Sequence, residues 1–171
     1  MKLGGWTVGA AAFVFAAGCS KAPTPMTDAE RAALADSVSQ VATRWLTSLA
    51  TQPTVEKFYS QFVRGNDLVH AQYGMIFPTY DSLMTVASAF FKPLTSLNVT
   101  FAQKRLTVLD RDVVVMTTMV TGTMKDSAGK ETPMQLAWTA AWHRTPDGWK
   151  VAADHESMAP PAPTPAKPAR R

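Results

Sequence analysis

The chain has a single cysteine, Cys19, and only three histidines among 171 residues. One thiol forms no intramolecular disulfide and supplies no cysteine pair for zinc. His70, His143 and His155 are too widely spaced to form a metal motif, so neither a metal nor a cofactor is expected. There is no glycine-rich phosphate loop, nucleophile elbow or dinucleotide fingerprint. Basic residues outnumber acidic ones by 17 to 13, yet five of the 17 (Lys2, Lys21, Lys167, Arg170 and Arg171) lie outside residues 27–158. All 13 acids lie inside that stretch, which therefore carries 12 basic residues and a net charge of −1. Without a basic stripe it is not expected to bind nucleic acid.

The N-terminus carries a different signal. Lys2 precedes an apolar or small run over residues 3–18, interrupted only by Thr7. A membrane-spanning helix needs about 20 residues, so this run suits a signal segment better. Its end, Phe15-Ala16-Ala17-Gly18-Cys19-Ser20, resembles a bacterial lipoprotein signal. The resemblance implies that residues 1–18 are removed and that Cys19 becomes the lipidated first residue of the mature chain. Two or three acyl chains, each contributing about 0.8 kcal/mol per buried methylene, anchor a domain firmly. In that family an Asp after the cysteine retains the protein at the inner membrane. Ser20 in that position implies the outer membrane, with the domain facing the periplasm. A mature chain lipidated on Cys19 has no free thiol.

Residues 19–26, with Pro23 and Pro25, read as a tether. Residues 159–171 are almost entirely Pro, Ala and basic residues, and such a tail cannot bury a core. The intervening stretch, 27–158, is one domain's worth of chain.

Within it, Thr27-Asp28-Ala29-Glu30 is a capping-box pattern. Leu34, Val38, Val41, Trp45 and Leu49 then share one helical stripe. Pro53 is expected to open a second helix, with Val55, Phe58, Tyr59 and Phe62 on its apolar side and Gly65 as its stop. A short strand over Leu68–Tyr73, a break at Gly74 and a return over Met75–Phe77 follow. A third helix is expected from Tyr80 to Lys92, ended by Pro93. From Leu97 the apolar period changes to two. Four strands are expected near 97–109, 112–124, 133–143 and 149–157, with turn residues between them. The fold class is α+β.

A regular ladder for the last hairpin pairs Arg144 with Trp149 and Trp142 with Val151. By the same count Ala140 faces Ala153, Trp138 faces His155 and Leu136 faces Ser157. His155 then points inward with Trp138 and Trp142, while Asp154 and Glu156 point outward beside Ala137, Thr139, Ala141 and His143. A slip of one residue reverses the assignment.

This element order, with the ending Asp147-Gly148-Trp149-Lys150-Val151-Ala152-Ala153-Asp154-His155-Glu156-Ser157, resembles the nuclear transport factor two-like superfamily and its SnoaL-like branch. The resemblance implies a cone: a strongly bent antiparallel sheet wrapped around a long N-terminal helix, with two further helices and an interior pocket. In that superfamily the outer sheet face often dimerises, and members range from isomerases, cyclases and hydrolases to binding domains without chemistry.

His155 is the best single candidate for a general base, with a core histidine as the alternative. Trp45, Tyr59, Trp138, Trp142 and His155 are expected to line the pocket, the tryptophans either stacking on a flat apolar ligand or packing the core. Asp67 could pair with His70 near Tyr59 or Tyr73, or cap its own turn. Met116, Met119, Met124 and Met134 are expected to fill core. The expectation is a lipid-anchored envelope protein that binds a small apolar ligand or a protein partner, forms a homodimer through the sheet and catalyses nothing. The alternative is a SnoaL-like isomerase, cyclase or hydrolase.

Overall fold

A computed structural model describes residues 24–158. The signal segment, Cys19 and the C-terminal tail lie outside the described residues. Helix α1 runs from Asp28 to Ser48. The Thr27 hydroxyl accepts from the Glu30 backbone N–H, and the Glu30 carboxylate accepts from the Thr27 N–H at 2.7 Å. Val38, Ala42, Trp45, Leu46 and Leu49 are buried along its inner stripe.

Helix α2, Val55–Tyr59, is shorter than expected. Thr54 is its cap, with a hydroxyl that accepts from the Lys57 N–H at 3.1 Å, so Pro53 precedes the helix rather than opening it. Gly65 does not stop it either. It begins a 3-10 turn, Gly65–Asp67, with φ at +84°. Phe62 lies outside the helix, bridged to Val151.

Strands β1 (Val69–Gln72) and β2 (Met75–Phe77) form a hairpin. Tyr73 and Gly74 link them with φ of 50° and 76°, a two-residue turn whose twist matches the flanking strands. Helix α3, Tyr80–Phe91, is capped by Thr79. Four long strands follow: β3 (Leu94–Asp110), β4 (Val113–Asp126), β5 (Glu131–Thr145) and β6 (Gly148–Met158). The sheet order is β2-β1-β6-β5-β4-β3. All neighbours are antiparallel except β1 and β6, which run parallel.

The sheet bends around α1. The β3 register slips between Ala102 and Arg105, where Gln103 takes a φ of 52°. At Gly122 in β4 an added Cβ would lie 2.0 Å from the Asn98 carbonyl oxygen, so only glycine allows β3 this close. Leu97, Val99, Val114, Met116, Val120, Leu136, Trp138, Ala140 and Trp142 are buried on the concave face. Of the four strand methionines, Met116 is fully buried, Met124 and Met134 pack at the core margin, and Met119 alternates to the convex face.

The last hairpin corrects the regular ladder. Arg144 pairs with Trp149 and Trp142 with Val151, as expected. Ala141 then pairs with Ala153, which leaves Ala152 as an extra residue: a β-bulge. Beyond it every partner moves by one. Ala140 faces Asp154, Trp138 faces Glu156 and Leu136 faces Met158. Asp154 is buried and His155 is exposed, the reverse of the expectation.

Candidate functional site: a buried carboxylate–imidazole cluster

Four of the expected pocket residues come together and one does not. Trp45 lies 5.9 Å from Trp138 and 6.4 Å from Trp142, centroid to centroid. Phe101 stacks on Trp138 at 5.6 Å with planes 6° apart. Tyr59 joins the same cluster through Phe58 and Phe62, 4.9 Å from each. His155 stands on the opposite side of the sheet. It cannot serve as a base inside the cone, and the physical reason is the bulge at Ala152.

The residues that do enter the cone are Asp154, Glu156 and His70. The parallel ladder sets His70 beside Asp154 and Gln72 beside Glu156. His70 Nδ1 lies 2.7 Å from Asp154 Oδ1, with the two side chains 1% and 0% exposed. The second carboxylate oxygen of Asp154 accepts from the Trp138 indole N–H at 2.8 Å. His70 therefore pairs with Asp154 and not with Asp67, which sits exposed in its 3-10 turn. Tyr73 is 65% exposed and donates to the Met158 sulfur, outside the cluster.

With Asp154 on Nδ1, the second nitrogen of His70 is buried and meets no hydrogen-bond partner among the described residues. Burial opposes protonation of His70, but the hydrogen bond and charge of Asp154, aided by the charge of Glu156, outweigh it and raise its pKa. Burial, followed by the Asp154 charge, pushes Glu156 up to about 7, while His70 opposes the rise. Burial and the same two carboxylates raise Tyr59. The cluster thus holds protons near neutrality in an otherwise apolar interior.

Little space remains around it. Glu156 is the one charged group facing a cavity of about 30 Å³, whose walls include Trp45, Phe101 and Trp138. That is room for about one water. A wider groove of about 880 Å³ lies outside the cone, where Arg64 and Lys150 face Asp67 and Asp147 in mixed charge. Among the described residues no three His, Cys, Asp or Glu side chains gather as a metal ligand set.

The sequence pattern missed Asp154 and Glu156 because a bulge at an alanine, Ala152, leaves no side-chain signature. It singled out His70 with Asp67 as one possible partner, and the structure pairs it with Asp154.

The architecture is the nuclear transport factor 2-like fold. A nuclear transport factor 2-like superfamily protein from Salmonella enterica superposes with a TM-score of 0.62 at 14% identity, covering 81% of this chain and 99% of its own. The association domain of Caenorhabditis elegans calcium/calmodulin dependent protein kinase II gives 0.60 at 12% identity, covering 77% and 100%. A Xanthomonas campestris protein assigned to that association domain gives 0.60 at 19% identity, covering 73% and 87%. Residues 85–160 match the calcium/calmodulin dependent protein kinase II association domain family. No curated protein matches the chain.

Proposed function

We propose that this protein is a lipid-anchored association module of the cell envelope, paired with a second copy of itself through the convex sheet face and without a catalytic role. The observation that carries this reading is a packed cone beside a convex face that no described element covers. Indole, phenyl and phenol rings occupy the concave side, and the cavity between Trp45, Phe101, Trp138 and Glu156 holds about 30 Å³. On the other side the β5 row Ala137, Thr139 and Ala141 is exposed or half-buried, with Thr117 and His155 as exposed neighbours. Small side chains let two sheets approach closely. The similarity of residues 85–160 to a family of association domains supports the same reading. Lipidation of Cys19 and a periplasm-facing place at the outer membrane rest on the Ala16-Ala17-Gly18-Cys19-Ser20 pattern. Sedimentation of residues 20–171 tests the pairing: a dimer at micromolar concentration is expected, and a monomer at high micromolar concentration overturns it.

One observation favours a second reading, in which the cone acts on or binds a small molecule through His70 rather than His155. A carboxylate on Nδ1 leaves the far nitrogen as the basic one, the arrangement of a general base. With so little space, the cone must open to admit a ligand. Native mass spectrometry of the chain purified from its own envelope separates the two readings. A co-purifying small molecule supports the second, and an unliganded dimer supports the first.

A further inference from the structure

The point at which the chain enters the domain is fixed. Arg111, in the turn between β3 and β4, donates to the Thr24 carbonyl at 3.3 Å and pairs with Glu30 at 3.3 Å. Arg31, in the first turn of α1, donates to the Val108 carbonyl at 3.1 Å. Residues 24–31 are thus tied to the β3–β4 turn. The β5–β6 turn lies at the same end, since the Arg144 N–H donates to the Asp112 carbonyl at 2.9 Å. Cys19 precedes Thr24 by five residues. Five residues reach at most about 18 Å when fully extended, whatever their conformation.

We propose that the domain stands on end, with its β3–β4 and β5–β6 turns against the bilayer surface and Leu109 reaching the headgroup region. The proposal rests on the lipidation of Cys19 advanced above. Leu109 is 60% exposed at the end of β3, an apolar side chain that no described element covers, at the end the tether holds near lipid. Of the cations there, Arg111 pairs with Glu30 and Arg144 lies 3.8 Å from Asp112, while Arg31 is held by the Val108 carbonyl and Asp110 adds an acid beside Arg111. Lipid charge therefore contributes little to the contact, and the tether and Leu109 set it.

The opposite end carries a cluster of exposed large apolar side chains. Tyr73, Met75, Ile76 and Met158 are 65%, 49%, 71% and 48% exposed. Ile76 pairs with Ala71, which pairs with His155, seven residues along β6 from Gly148. At about 3.3 Å per residue this cluster lies up to roughly 23 Å farther from the bilayer than the turns. It faces the aqueous space.

The test uses the full chain made with its lipid in a bacterial host and reconstituted into phosphatidylethanolamine–phosphatidylglycerol vesicles containing headgroup-nitroxide lipid. Leu109→Cys and Ile76→Cys each place a fluorophore on an exposed site, and a lipidated Cys19 does not compete for the label. Fluorescence at position 109 is expected to be quenched several-fold more than at position 76. The mass of the N-terminal peptide is measured on the same samples. An unmodified Cys19 overturns the anchor and this orientation with it. A lipidated Cys19 with equal quenching at both sites, or stronger quenching at position 76, overturns the orientation alone.

Discussion

Both carboxylate oxygens of Asp154 are used, one by His70 and one by Trp138, so its loss leaves two buried polar groups without partners. We expect Asp154→Ala to destabilise the domain by about 3–5 kcal/mol, the range for breaking one side of a buried pair, read by urea denaturation. Glu156 acts in the opposite sense. Its folded pKa of about 7 exceeds its ordinary value of 4.5, so the native state holds a proton that the unfolded chain releases. Stability then falls as pH rises from about 4.5 through 7. The raised His70 adds to the trend, because its contribution is full below its ordinary value of 6.5 and is lost as pH rises through the folded value. Thermal unfolding is expected at a lower temperature at pH 8 than at pH 5.5. Glu156→Gln should recover on the order of 2 kcal/mol at pH 8 and little at pH 4. An unchanged pH profile in that variant would show that Glu156 ionises freely. At this scale the sequence was readable where side chains differ sharply and unreadable where they do not. Trp142, Trp138 and Trp149 announce their face, whereas Ala152 and Ala153 fit either side of a sheet and hide the bulge at Ala152.

Element boundaries were better marked, because caps and turns are chemical signals. Thr27 with Glu30, the Gly74 break and Pro93 each fell where an element starts or ends. Proline and glycine misled around α2: Pro53 precedes a Thr54 cap, and Gly65 opens a turn. Nothing local marked the parallel union of β1 with β6, since it joins residues more than 80 positions apart. That union suggests how the hairpin is held. β1 has four residues on β6, reinforced by the His70–Asp154 pair. We expect His70→Ala to speed amide exchange across Val69–Phe77 well before β4 and β5 respond. Uniform protection loss would mean that the hairpin is no separate unit. Gly122 marks the tightest point of the sheet, and Gly122→Val should destabilise it by about 2–3 kcal/mol by forcing β3 away from β4, measurable by denaturation.

The cone itself was legible from element order and from the Asp147–Ser157 ending, while its contents were not. A pattern of apolar residues tells which face is inside but not whether rings of that size leave room. For the whole molecule the convex face is the testable surface. Thr139, exposed opposite Thr117, sits mid-row, and Thr139→Arg should convert the proposed dimer to a monomer in sedimentation without changing the melting temperature of the monomeric fold. If the mutant remains dimeric, the pairing surface lies elsewhere.

The path of β6 has a mechanical consequence. The strand starts at the end where Arg111 holds Thr24 and runs to Met158 at the other, bonded to β5 on one edge and β1 on the other. A pull between the entry of the chain and its exit would load those hydrogen bonds in shear, sharing tension along both edges instead of peeling them apart singly. Of the two edges, the four-residue bond line to β1 is the shorter, and it is the one expected to give first.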